Sequence, residues 1–210
     1  YSRSRSRSRL THSETIMPAL DEAMRASGID CRQADVFAAV AGPGSFTGVR
    51  IGVCAAKGLA HAYGKPCVSI DALEALAMNL QGFDGIACPI LDARRGQVYC
   101  AAFDMKNGMP ERVLEDDAIE IDAFLDRLPK DRRLYFLGDG LRVHAQHILE
   151  KLPDQACIAH ANMRELRADA ACLLAAARPE SWVEAARLAP IYLRIPQAER
   201  ERNKRLGETK

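Results

Sequence analysis

The sequence predicts an α/β fold with two lobes, on three observations. Short apolar runs typical of buried parallel strands alternate with helical patterns, and a glycine-rich turn joins the first such run to a helix of small residues. Of the 210 residues, 48% are hydrophobic and 27% are charged, a balance typical of a globular protein with a sizeable core. No apolar run is long enough to cross a bilayer, so we expect no membrane partner.

The first lobe is predicted over residues 10–84. Apolar side chains recur at helical spacing from Ser13 to Ala26, with Ser13 as the expected N-cap and Gly28 after the last turn. The run VFAAVA, residues 36–41, predicts a buried parallel strand. A helix over 47–63, a strand over 66–70 and a helix over 72–80 complete this lobe.

A second lobe is predicted over residues 85–196, with the boundary near Gly82 to Gly85. An apolar strand over 86–91, the charged turn DARRG over 92–96 and a strand over 98–103 suit a hairpin. The later elements of this lobe are a strand over 134–137, helices over 142–152 and 168–177, and a closing segment over 190–194.

The two ends of the chain differ from its body. Residues 1–9, YSRSRSRSR, predict a disordered tract, which is either an RNA-contacting arm or an accidental terminus without a partner. Residues 197–210 are almost all charged and predict a frayed or exposed tail. The net charge of the chain is +1. The four arginines at the start contribute more positive charge than this total, so the rest of the chain is mildly acidic. Such a body is not typical of a dedicated nucleic-acid-binding surface.

The glycine turn AGPGSFTGVRIG, residues 41–52, is the most distinctive stretch. Free amides at a helix N-terminus can bind an anion, but the turn lacks the lysine of a P-loop and the glycine spacing of a dinucleotide site. The residues alone therefore favour a sharp strand-to-helix turn capped by Ser45 or Thr47. The candidate residues of the turn are Gly42, Pro43, Gly44, Ser45, Thr47, Gly48 and Arg50.

Neither catalytic residues nor metal ligands emerge from the spacing. The seven cysteines are odd in number and form no C-x-x-C pair, which favours reduced core thiols in a cytoplasmic protein. His144 and His147 share a helical spacing, but no third ligand lies near, so we expect surface histidines. We find no triad or paired-carboxylate cluster either.

Several stretches together carry a family resemblance. GPGSFTGVRIG and the following AKGLAHAYGKPCVSIDALEALA, with HSETIMPALDEA, LDARRGQVY and APIYLR, resemble the bacterial TsaB (YeaZ) proteins from Leu10 to Pro196. The resemblance implies an actin-like ATPase fold with two ribonuclease-H-like lobes. It implies a role in making the threonylcarbamoyl modification (t6A) of adenosine 37 in tRNA. The implied partners are the catalytic paralogue TsaD and the ATP-hydrolysing TsaE. It also implies that the first lobe is truncated here: the arginine–serine repeat takes the place of the three strands with which TsaB proteins begin.

The resemblance also implies which paralogue this is. TsaD-like proteins carry a metal-binding H-x-x-x-H pair, whose positions fall here on Ala72 and Leu76. Neither side chain has a lone pair for a metal, so a catalytic metal and a glycoprotease activity are not expected. In the family, helices of the first lobe pack against TsaD. The candidate contact residues, which could equally pack the lobe's own core, are Met17, Leu20, Met24, Val49 and Val53.

Three function classes follow from these observations. The leading one is a non-catalytic scaffold that binds TsaD, with a homodimer as a further assembly. The second is a weak ATP-binding phosphotransferase or ATPase of the actin-like fold, in which Asp92 contacts ATP or ADP. The third is an RNA-binding module led by the arginine arm.

Overall fold

The structure, a computed structural model, describes residues 11–194. The arginine–serine tract over 1–9 and the charged tail over 197–210 therefore lie outside the described residues. The described chain divides into two compact units, a first unit of residues 11–71 and 168–190 and a second unit of residues 72–167 and 191–194. No helix among the described residues is both long and apolar enough to cross a membrane.

The elements are as follows, in chain order. The helices are α1 His12–Ser27, α2 Phe46–Tyr63, α3 Ala72–Ala77, α4 Ile121–Arg127, α5 Leu141–Lys151 and α6 Ala168–Ala177. The strands are β1 Phe37–Gly42, β2 Cys67–Asp71, β3 Ile86–Asp92, β4 Gln97–Asp104, β5 Glu111–Glu120, β6 Leu134–Leu137 and β7 Ala156–Ile158. Short 3₁₀ turns lie at Cys31–Gln33, Met78–Leu80, Ala161–Met163, Pro179–Ser181 and Ala185–Arg187.

The first unit is built on a parallel pair of strands. Within the described residues its sheet consists of β1 and β2, paired from Phe37 opposite Cys67 to Val40 opposite Ile70. The far edge of β2 is met by Val183, whose N–H and C=O exchange two 2.8 Å hydrogen bonds with Cys67. Helix α2 packs on β1, and α6 packs on both strands. The small residues of α2 permit this close approach, and Ala56 and Ala60 are buried as a result.

The second unit contains a five-stranded mixed sheet in the order β5-β4-β3-β6-β7. Strands β3, β4 and β5 are antiparallel neighbours, whereas β3, β6 and β7 run parallel. The hairpin predicted from residues 86–103 is therefore confirmed. One face of the sheet carries a core that includes Ile90, Phe124, Phe136 and Ile148.

The division between the units differs from the predicted boundary near residues 82–85. Helix α3 belongs to the second unit because Leu73 and Leu76 pack in one cluster with Phe103 and Leu137 of the second sheet. Helix α6, predicted as part of the second lobe, returns to the first unit and packs on its strands. Both assignments depend on contacts between residues far apart in sequence.

The predicted core thiols are mostly inside. Cys31, Cys67, Cys88 and Cys100 are buried, and all seven cysteines, which lie within residues 11–194, are free. Burial raises the pKa of Cys100 to about 12. Cys54 and Cys172 are exposed, in contrast to the expectation of a buried thiol.

Candidate functional site: a helical docking surface and the glycine turn

Helix α1 begins one residue before the predicted helix and has a different cap. The Glu14 carboxylate accepts hydrogen bonds from the backbone N–H of Thr11 at 2.6 Å and from its hydroxyl at 2.7 Å. The hydroxyl bond is the main reason that the pKa of Glu14 is lowered. The prediction of Ser13 as N-cap is thus wrong, because Thr11 and Glu14 form the capping box and Ser13 lies in the first turn. The predicted stop is confirmed, with Gly28 at φ 69°.

The apolar face of α1 is the first half of the candidate surface. None of the sixteen residues of α1 is buried in the described structure. Met17 is 47% exposed, and Leu20 and Met24 are half-buried. Met24 also contacts the segment that follows α1, because its sulfur lies 3.1 Å from the Cys31 thiol. An amphipathic helix that buries none of its apolar residues retains area for a partner.

Helix α2 supplies the second half. The two helices lie close together at Gly48, where a Cβ would be in ordinary van der Waals contact with the ring of His12, at 3.7 Å. Val49 is half-buried, whereas Val53 is only 3% exposed. Val53 therefore packs inside the first unit and is not accessible to a partner. We accordingly remove Val53 from the candidate contact residues. We call Met17, Leu20, Met24, Val49 and Phe46 the docking surface.

Phe46 was not singled out from the sequence. It is the first residue of α2 and is 36% exposed. The guanidinium carbon of Arg50 lies 3.8 Å from its ring centroid, a cation–π contact. The i, i+4 spacing of an aromatic residue and an arginine at a helix start was the available signal.

The glycine turn connects β1 to this surface. Gly42, at φ 124°, and Pro43 are buried and joined by a cis peptide bond. Ser45 is the N-cap of α2 and accepts a long hydrogen bond, 3.5 Å, from the N–H of Gly48, so the predicted cap is confirmed. Gly44 precedes this cap, and Thr47, Gly48 and Arg50 lie in the first two turns of α2; Gly44, Thr47 and Arg50 are exposed. The turn thus fixes where α2 begins.

Asp92 lies at the end of β3, and both its carboxylate and its backbone N–H form hydrogen bonds with nearby residues. Its carboxylate accepts the N–H of Arg94 at 2.7 Å, and its own N–H donates to the Asp139 carboxylate at 2.9 Å. The turn around Asp139 packs directly on β3, since a Cβ on Gly138 would stand 2.2 Å from the carbonyl oxygen of Ile90. With two carboxylates at this point, a phosphate would need a cation to bridge them.

The two positions that correspond to the metal-binding histidine pair of TsaD-like proteins lie in apolar surroundings. Ala72 and Leu76 are 1% and 0% exposed, and Leu76 belongs to the core of the second unit. Among residues 11–194, no group of three His, Cys, Asp or Glu side chains could hold a metal.

The two histidines of α5, His144 and His147, differ in exposure. His147 is exposed and its Nε2 lies 2.8 Å from Asp122. Burial, the largest cause, lowers the pKa of His144, which is half-buried.

Comparison with known proteins agrees with this architecture. A family model described as TsaD, tRNA N6-adenosine threonylcarbamoyltransferase, matches residues 6–199. The TsaB protein of Bacillus subtilis, named a tRNA threonylcarbamoyladenosine biosynthesis protein, is 36% identical over 90% of this chain and 82% of its own. A tRNA N6-adenosine threonylcarbamoyltransferase of Jannaschia sp. is 42% identical, but over 38% of this chain and only 22% of its own.

A solved structure gives the fold independently. The crystal structure of a Pseudomonas aeruginosa protein, described as similar to the peptidase YeaZ, superposes with a TM-score of 0.75. The match has 24% sequence identity and covers 89% of this chain and 85% of that one. The two α/β units are therefore those of the actin-like, ribonuclease-H-like fold.

Proposed function

Since the chain belongs to the TsaD family, and within it to the TsaB proteins, we propose that it is a non-catalytic partner subunit in the threonylcarbamoylation of tRNA. The observation that carries this proposal is the 36% identity to a TsaB protein over 90% of the chain. The similarity to a threonylcarbamoyltransferase covers only 22% of that enzyme, so its activity is not transferred to this chain.

The proposal of a non-catalytic role rests on residue chemistry. A metal-dependent transferase needs ligands with lone pairs, and the two positions where TsaD-like proteins have histidines carry Ala72 and Leu76. Both side chains are buried among apolar neighbours, so they stabilise the fold. The names of the relatives concern tRNA threonylcarbamoyladenosine, which gives the phosphotransferase alternative no support.

The partner that we propose for the docking surface is a TsaD-type protein. Helix α1 keeps its apolar residues partly exposed, and Phe46 and Val49 extend that apolar character onto α2. Helices present such faces to other helices in bundles. A homodimer through the same surface is the competing assembly at high concentration. We further propose that TsaE binds the complex of this chain with its TsaD-type partner. We also propose that tRNA is the shared substrate and that the protein is cytoplasmic.

Size-exclusion chromatography with light scattering tests the proposal. The purified chain is mixed with its TsaD-type partner, and a one-to-one complex is the expected result. A concentration series of the chain alone measures the homodimer. The t6A content of a tRNA transcript is then measured with each protein alone and with both together, with a threonylcarbamoyl donor supplied. Turnover by the chain alone, or failure to form a complex, would overturn the scaffold role.

A further inference from the structure

The tip of the β3–β4 hairpin is a charged feature that the docking role does not use. It consists of Arg94, Arg95 and Gly96, and we call it the hairpin tip. Both arginines are exposed, and the side chain of Arg94 is 88% exposed. Arg94 and Arg95 have φ angles of 65° and 57°, in the left-handed region where glycine and asparagine are the ordinary choices. Two bulky cations there mark the turn as a functional candidate.

The hairpin tip is held from several sides. Ala93 and Gln97 close the turn, with the N–H of Ala93 donating to the carbonyl of Gln97 at 3.0 Å. The Asp92 carboxylate accepts the N–H of Arg94 at 2.7 Å. Arg194 donates to the carbonyl of Ala93 at 3.0 Å and also to the Gln97 side chain. These bonds fix the backbone from which the two guanidinium groups project, so the turn itself need not become ordered on binding.

The exposed guanidinium groups of Arg94 and Arg95 lie on the turn that begins at Asp92, whose N–H binds the Asp139 carboxylate, and they supply the positive charge that a phosphate needs at this point. Arg94 approaches one carboxylate, that of Asp92, at 3.7 Å, and this exposed pair leaves most of the guanidinium accessible. Guanidinium groups bind phosphate through paired N–H donors, so two adjacent arginines suit successive phosphates of a nucleic-acid backbone.

We propose that the hairpin tip binds the phosphate backbone of tRNA when the chain is assembled with its TsaD-type partner. This inference rests on the proposed function, which brings a polyanion to the complex. The tip would position tRNA and carry no base readout, because phosphate contacts are independent of sequence.

The test measures tRNA affinity of the assembled complex by fluorescence anisotropy between 50 and 300 mM KCl. The variant R94Q/R95Q removes both charges and keeps polar side chains. Losing two phosphate contacts is expected to weaken binding about twentyfold near 0.15 M salt and to lower the slope of log Kd against log salt by about 1.5. Non-cognate tRNA should be affected equally.

A matched control removes the same charge elsewhere on the same unit. Lys130 and Arg133 are exposed and precede β6, at the opposite end of β3 from the hairpin tip. The variant K130Q/R133Q should leave the affinity within about twofold of the wild type. Equal weakening in both variants, or none in R94Q/R95Q, would overturn the inference.

Light scattering of each variant complex separates the remaining outcomes. If R94Q/R95Q no longer assembles with the partner, the tip is a protein contact and the tRNA inference fails. If the wild-type chain does not assemble, the proposed function itself fails. If the wild-type complex assembles and binds tRNA but the tip variant binds equally well, the tip inference alone fails.

Discussion

Truncating Met17 and Val53 should have opposite consequences, because the structure places one outside and one inside the first unit. Met17 is 47% exposed on α1, and Val53 is 3% exposed on α2. The sequence alone made both residues candidates for partner contact or core packing. Met17→Ala and Val53→Ala therefore separate the two roles directly.

The expected magnitudes follow from burial. Val53→Ala deletes two buried methyl groups and leaves a cavity, which should lower the free energy of unfolding by about 2 kcal/mol. Full burial of a methionine stabilises by about 1.5–3 kcal/mol, and about half of that area is already buried within the unit. Met17→Ala should then cost about 1 kcal/mol of docking free energy, or about fivefold in Kd, and about 1 kcal/mol of folding stability, which is less than Val53→Ala costs.

Urea unfolding gives the stability of each variant, and isothermal titration with the TsaD-type partner gives the Kd. Leu166 is 44% exposed on the second unit, so Leu166→Ala controls for removing a comparable exposed side chain. That control should bind the partner as the wild type does. A Met17→Ala variant that loses stability as Val53→Ala does, with Kd unchanged, would refute the assignment of α1 to docking.

Two further predictions concern the second unit. Gly138→Ala, whose Cβ would clash with the carbonyl of β3 at 2.2 Å, should lower the free energy of unfolding by at least about 3 kcal/mol. Gly96→Ala, at φ 75° with open space around it, should lower it by only about 1 kcal/mol, and equal urea midpoints would contradict the close approach. Arg127→Gln should raise the pKa of Asp117 measured by NMR, because a hydrogen bond from Arg127 is the main cause of its lowered value. A lowered folded-state pKa of Asp117 stabilises the protein fully above the unfolded value near 4, and this stabilisation is lost as the pH falls through the folded-state pKa. The deficit of the variant, below about 1 kcal/mol, should therefore be present at pH 7 and shrink as the pH falls below about 4.

The elements that were predicted correctly are those with a strong local sequence pattern. Strand β1, the glycine turn and α2 were located to within one or two residues, because an unbroken apolar run, a glycine cluster and a small-residue helix leave few alternatives. Strand β5 was missed. Six of its ten residues, ERVLEDDAIE, are charged; Arg112 pairs with Asp116 inside the strand, whereas Asp117 pairs with Arg127 of α4. Strand β7, with three residues, is too short for any periodicity to be visible.

The errors at the site have two origins. Ser13 and Thr11 are both good caps, and the capping-box spacing of Thr11 and Glu14 was a local signal that decides between them. Val53 lies on the same helix as Val49, and which of them faces the strands depends on how α2 packs on β1. The return of α6 to the first unit likewise joins residues about a hundred positions apart. Long-range packing carries no local sequence signature.

Assembly and tRNA binding should be separable in this chain, because their proposed residues lie on different units. The docking surface belongs to residues 11–71 and the hairpin tip to residues 94–96. With no residue shared between them, free-energy changes should add to within about 0.5 kcal/mol. A variant combining Met17→Ala with R94Q/R95Q should thus show the fivefold loss in partner Kd of the first change and, once saturated with partner, the twentyfold loss in tRNA affinity of the second. A combined variant that deviates from this product would show that partner and tRNA compete for, or jointly order, one surface, and the division of labour between the two units would then be wrong.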